Sequence, residues 1–283
     1  MQTKTENTKK LVESALLVAA AVVLSIFKIA DLPYGGSVTL ASMFPIVLIA
    51  YRHGLAWGMG AGLSYAVLQQ LLGLKSLSYV TTWQSVLAVI FLDYIFAFAV
   101  LGLGGIFRGK MQKQSTELAM GSFFVCVLRY IFHVISGATV WAGISIPTGA
   151  AMAYSLIYNA TYMVPETIVL VLVAYYLGSV LEFRKPELSR LQTEENGGKT
   201  ADLLGVFTGL IGVGAVIADV ALIFAHMQDP ESGEFNIQML KVENFVGSFW
   251  MTVVIVSVVA LAIGCILCTA RRNMIEDAKN TKQ

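Results

Sequence analysis

GSFFVCVLRYIFHVISGATVW, residues 121–141, is an apolar run long enough to cross a bilayer, yet it carries Arg129, His133 and Trp141. Arg129, His133, Gly137 and Trp141 recur every four residues. On an α-helix each such step turns the face by only about 40°, so the four form a slowly winding stripe. Ionisable side chains inside a span are costly and usually face a cavity or a partner rather than lipid. The stripe is a candidate binding wall.

The rest of the composition fits such a setting. Of 283 residues, 57% are hydrophobic and 13% charged, and the mean hydropathy is +0.72. A soluble domain carries roughly 25% charged residues. Alternating strands of an outer-membrane barrel are not visible, so the reading is an all-α integral membrane protein. A net charge of +1 gives no sign of nucleic-acid binding. Cys126, Cys265 and Cys268 sit in apolar runs, which argues against a disulfide framework. The C-x-x-C of Cys265 and Cys268 has no second pair, so it reads as packing rather than a metal or redox site. No cofactor is called for. The basic N-terminus with Lys4, Lys9 and Lys10 imitates a secretory signal, but the run that follows is long enough to span and lacks a small-residue cleavage site.

Runs long enough for about 30 Å of hydrocarbon lie near 11–30, 55–74, 84–107, 118–143, 154–182, 203–226 and 245–269. Residues 39–51 are apolar but short, and counting them gives eight segments. If all cross, one side collects the N-terminal lysines, Arg52, Arg108, Lys110, Lys113, Arg184, Lys185, Arg190, Lys199, Arg271, Arg272, Lys279 and Lys282. Lys75 and Lys241 fall on the other side. That bias places both termini in the cytoplasm of a multi-pass cell-membrane protein. The division is a six-helix core, 1–183, a cytoplasmic linker, 184–202, an appended transmembrane pair, 203–270, and a cytoplasmic tail, 271–283. The linker contains Gly197-Gly198-Lys199-Thr200, but a phosphate loop needs glycine at 193, where Thr193 stands. The chain therefore carries no nucleotide site of that kind.

Asp93 follows Trp83-Gln84 in TTWQSVLAVIFLDYIFAF, about 13 Å below the outer end of its helix. Such a carboxylate either pairs with a neighbouring helix or serves as counter-charge to a cationic ligand. In AYSLIYNATYMVPE, Ser155, Asn159, Tyr162 and Glu166 fall within about 60° on one helix face. Tyr154 and Tyr158 lie to its side, Tyr154 some 140° from Asn159. Arg129 and Glu166 reach similar depths and are read as a structural ion pair. Two acids against one base leave one negative charge among Trp141, Tyr154 and Tyr158, which suits a flat monocation. In the first segment Ala15 and Ala19 make a smooth face that another helix could approach closely, and Gly54, Gly58 and Gly62 allow tight contact in the third.

At these residues the chain resembles the thiamine-specific substrate-binding subunits, or S components, of energy-coupling factor (ECF) vitamin transporters. The matching stretches are FPIVLIAYRHGLAWGMGAG, WQSVLAVIFLDYIFAFAVLGLGGIF, RYIFHVISGATVW and YSLIYNATYMVPE. With the first helix they cover about residues 8–183. The resemblance implies a six-helix S-component core and a thiamine site in a bacterial cell membrane. In that site Asp93 replaces a family glutamate beside Tyr94, Trp141 stacks on the ligand, and His133, Tyr154 and Asn159 add contacts, while the helix-face reading above adds Gly137 and Tyr158 to the candidate wall. It also implies that Ala15 and Ala19 dock the transmembrane coupling subunit, which works with two cytoplasmic ATPases.

Three features depart from the family: Asp93 is one methylene shorter, Tyr34 stands where a tryptophan lid is expected, and two C-terminal helices are appended. The alternatives are an S component for another aromatic or cationic vitamin or a thiamine precursor, and an ion-driven secondary transporter. The latter calls for internal repeats with broken helices, which are not visible. An enzyme using His133 and Asp93 lacks a G-x-S-x-G serine or an H-E-x-x-H metal pair.

Overall fold

The computed structural model describes residues 2–31, 36–144, 148–191, 198–227 and 248–280. Its helices are α1 (Gln2–Ile26), α2 (Phe44–His53), α3 (Leu55–Leu72), α4 (Trp83–Leu103), α5 (Gln114–Thr139), α6 (Ala151–Val180), α7 (Gly198–Met227) and α8 (Ser248–Asn280). Two short strand pairs interrupt them, antiparallel β1 (Lys28–Asp31) with β2 (Ser37–Thr39), and β3 (Leu181–Glu182) with β4 (Ser189–Arg190). The chain divides into two compact units, Met1–Ser189 and Arg190–Gln283.

Among the described residues, α4, α5 and α6 are long and apolar enough to cross a membrane, as are Leu203–Ile223 of α7 and Phe249–Asp277 of α8. The protein is a multi-pass, all-helical membrane protein. The expected short segment at 39–51 is shorter still. Strand β2 takes its first residue, and the ten residues of α2 rise only about 15 Å. Every residue from Phe44 to Tyr51 is buried, so α2 is shielded by its neighbours on all sides. The first helix stops at Ile26, and Lys28 belongs to β1. Lys28 therefore lies beyond the helix end and lines the same cavity as Lys75.

Glycines set how closely the first unit packs. A Cβ on Gly58 would lie 2.5 Å from the Gly102 carbonyl oxygen and overlap Ala50. One on Gly121 would overlap the Gly104 carbonyl, so α5 meets the end of α4 backbone to backbone. Residues 183–186, at the junction of the expected core and linker, are tied to the first unit. Phe183 is 3% exposed and meets the Phe44 ring edge-on at 6.3 Å. Arg52 donates to the carbonyls of Phe183, Lys185 and Pro186, and its Nε lies 2.5 Å from Glu13. Arg184 pairs with the fully buried Glu117 at 3.0 Å, and Tyr51 donates to the same carboxylate at 2.5 Å. Hydrogen bonds to Tyr51 and Glu117 raise the Arg184 pKa above its ordinary value.

In the second unit α7 and α8 pack on each other. Ser257 donates to Asp219 at 2.6 Å, and the His226 and Phe249 rings stack 3.9 Å apart. Cys265 and Cys268 are free and exposed, Cys126 free and buried.

Gly121→Ala is expected to lower stability by about 1–3 kcal/mol through overpacking. Gly60→Ala, with nothing within 4 Å of the added carbon, should be neutral or slightly stabilising. Thermal unfolding in detergent, followed by loss of monodisperse protein, reads both.

Candidate functional site

Helix α4 is not regular. It starts as α-helix at Trp83–Ala88, with Thr82 capping Ser85, widens to a π-helix over Val89–Phe96, and tightens to a 3-10 turn at Val100–Leu103. Asp93 and Tyr94 sit in the π segment. Such widened turns occur often at functional sites, and this one carries the acid that the sequence singles out.

Three donors converge on Asp93. Ser136 Oγ donates to Oδ2 at 2.7 Å, and Trp141 Nε1 donates to the same oxygen at 2.9 Å. His133 Nδ1 lies 3.1 Å from Oδ1. With the imidazole neutral, Nδ1–H donates and Nε2 is left as a lone-pair acceptor. That Nε2 is buried and has no hydrogen-bond partner among the described residues. A carboxylate offers about four lone-pair sites, so roughly one remains open, on Oδ1. Among the described residues no Lys or Arg lies within ion-pairing distance of Asp93.

The one guanidinium at this depth is engaged elsewhere. Arg129 Nη1 is 3.8 Å from Glu166 Oε1 and 3.0 Å from Met43 Sδ, and its charged carbon lies 4.4 Å from the centre of the Phe98 ring. Glu166 takes its closer contacts from Thr39, whose hydroxyl donates at 2.8 Å and whose N–H donates at 3.2 Å.

These groups line a cavity of about 430 Å³. Asp93, Tyr94, His133, Gly137, Trp141, Tyr158 and Asn159 all contribute to its wall, with Arg129 and Glu166. Tyr154 does not. It is half-buried against the cluster of Val80, Val89, Val140 and Trp141, so it supports Trp141 from behind. The reason is helical phase, since Tyr154 points well away from Asn159 on the same helix. Tyr34 lies outside the described residues. Ala15 and Ala19 are exposed in a separate apolar groove between α1 and α3, of about 710 Å³, with Trp57 and Gly60 opposite.

Asn159 is held rigidly. Its Nδ2 donates to the backbone oxygens of Ser155 and His133, and its Oδ1 accepts from Tyr162 at 2.6 Å. Tyr94 is also committed to the scaffold. Its hydroxyl donates to the Gly73 carbonyl at 3.1 Å and lies 3.0 Å from Ser76 Oγ.

Ser136 and Thr39 were not foreseen. Ser136 was within reach of sequence reasoning, because it stands three residues after His133 on the same face. Thr39 left no local sign.

The chain is similar in sequence and fold to known proteins. A family model described as "Thiamine transporter protein" matches residues 11–183. The chain belongs to this thiamine transporter family. The match takes in α1 to α6 and ends before α7. The thiamine transporter ThiT of Bacillus subtilis is 39% identical over 176 residues, covering 58% of this chain and 87% of that one. A solved structure of ThiT from Listeria monocytogenes shares the fold, with a TM-score of 0.51 at 22% identity, over 61% of this chain and 94% of the other. The relatives are named as transporters, and the protein is accordingly not an enzyme.

Tyr94→Phe should cost about 1 kcal/mol of stability by removing one hydroxyl bridge. Gly73→Ala should cost more, because the added carbon would occupy the hydroxyl's place. Comparing the two thermal midpoints checks the order.

Proposed function

We propose that the chain is the membrane-embedded binding subunit of a thiamine importer of the ECF type. In this reading it captures thiamine from outside the cell and passes it inward with a transmembrane coupling subunit driven by two cytoplasmic ATPases. The observation that carries the ligand assignment is Asp93. Three side-chain donors hold it, and among the described residues no Lys or Arg pairs with it.

Thiamine joins a cationic thiazolium to an aminopyrimidine, both flat rings. The open lone pair on Asp93 Oδ1 and the uncompensated charge suit the cationic ligand. The Trp141 and Tyr158 rings suit its faces. His133 Nε2 is an acceptor for an amino group, and Gly137 lets a ring approach the α5 backbone. A cavity of about 430 Å³ falls within the usual range for small-molecule sites. Tethering by Ser136 and Trp141 fixes the carboxylate before the ligand arrives, so little ordering is left for binding to drive.

The apolar groove bearing Ala15 and Ala19 suits a closely packed helix of the coupling subunit. The lysine and arginine bias supports cytoplasmic termini in the cell membrane.

Asp93→Asn keeps the shape and removes the charge. It should weaken thiamine binding roughly 10- to 100-fold, the range of a charge-assisted hydrogen bond, with little loss of folded protein. Parental affinity in detergent-purified Asp93→Asn, measured by calorimetry, would dismiss the counter-charge role. Replacing Ala15 and Ala19 together by leucine should leave binding intact while abolishing cellular uptake. Retained uptake would remove the groove as the docking face.

A further inference from the structure

Sequence reasoning assigns Glu166 to Arg129, but the geometry ties it more closely to the β1–β2 hairpin. The Arg129 contact is 3.8 Å, too long for a hydrogen bond. Both carboxylate oxygens instead accept from one residue, Oε1 from the Thr39 hydroxyl at 2.8 Å and Oε2 from the Thr39 N–H at 3.2 Å. Glu166 is 1% exposed and Thr39 5%. Ser42 Oγ lies 2.7 Å from the Thr39 hydroxyl, which extends the network into the turn before α2.

The strand has a second contact on the same helix. A Cβ on Gly36, the residue before β2, would come within 2.8 Å of the Tyr162 ring, so the chain entering β2 approaches α6 closely there. Tyr162 and Glu166 are one turn apart. Tyr162 also donates to Asn159 and meets the His133 ring edge-on, so the strand rests on the cavity wall itself. Slippage by one residue would turn the Thr39 hydroxyl away and set an apolar side chain, Val38 or Leu40, against a buried carboxylate. In the paired strand Lys28 faces Thr39 and Asp31 faces Ser37, and both Lys28 and Asp31 line the cavity. Fixing Thr39 therefore fixes that edge of the site.

We propose that Glu166 is a positioning residue that locks the β1–β2 hairpin in register through Thr39 and thereby slows ligand escape. The kinetic part rests on the thiamine reading above; the anchoring part does not. The test compares parent, Thr39→Ser, Thr39→Val, Glu166→Ala and the double variant Thr39→Val/Glu166→Ala in detergent. Dissociation of radiolabelled thiamine is measured on each, with deuterium uptake by residues 36–43 of the ligand-free proteins.

Thr39→Ser keeps both donors and should keep the parental dissociation rate. Thr39→Val should dissociate about tenfold faster, the worth of one hydrogen bond to a charged group, with association little changed. The double variant should be no faster than Glu166→Ala alone. Uptake at 36–43 should rise in Thr39→Val and Glu166→Ala. Faster dissociation from Glu166→Ala with a parental rate for Thr39→Val would overturn the proposal, since Glu166 would then act without the hairpin. Should Glu166→Ala not fold, Thr39→Val against Thr39→Ser decides alone. A parent that binds no thiamine sinks the thiamine reading, and unchanged uptake at 36–43 would separately sink the anchor.

Discussion

A carboxylate in the middle of a helical bundle needs donors around it, and Asp93 has three. Ser136, Trp141 and His133 surround it with neutral donors. They satisfy most of its lone pairs without cancelling its charge. A charged group at the centre of a membrane helix costs about 2.5–3.5 kcal/mol, and hydrogen bonds offset part of that cost. The remainder is available to a ligand that brings the missing positive charge. The same contacts orient the Trp141 ring, so the carboxylate and the aromatic wall are set by one network.

That arrangement depends on engaging cations of the same cavity with other partners, Lys28 with Asp31 among them. Arg129 is drawn off by Glu166, the Phe98 face and the Met43 sulfur. Arg52 and Arg184 are committed to Glu13, Glu117 and the carbonyls that follow α6. Glycine contacts at Gly58 and Gly121 bring helix backbones together, which fixes where each of these side chains arrives. The two charged networks thus do different work. One binds the first unit at a helix end, and the other leaves Asp93 on the cavity wall with no Lys or Arg partner among the described residues.

Much of the cavity wall was legible in the sequence because helical period and burial speak through the same residues. Arg129, His133, Gly137 and Trp141 are spaced to share a face, and all four line the cavity. Asp93 declared itself as a charge in an apolar run. What escaped was whatever depends on local irregularity or distant pairing. No residue in VIFLDYIF signals a π-helix, and nothing near Thr39 points to a partner 127 residues away. Charge counting places basic residues by side of the membrane, so the bonds of Arg52 and Arg184 to Glu13, Glu117 and the carbonyls after α6 leave no sign in it. Tyr154, which the resemblance puts at the ligand, packs against Trp141 and stands outside the wall of this cavity.

The most direct measurement compares thiamine with a neutral isostere whose thiazolium is replaced by an uncharged ring, bound to the parent and to Asp93→Asn. The account predicts that the parent prefers the cation by about 10- to 100-fold and that most of this preference vanishes in the variant. Equal affinity of the parent for the charged and neutral ligands would contradict it.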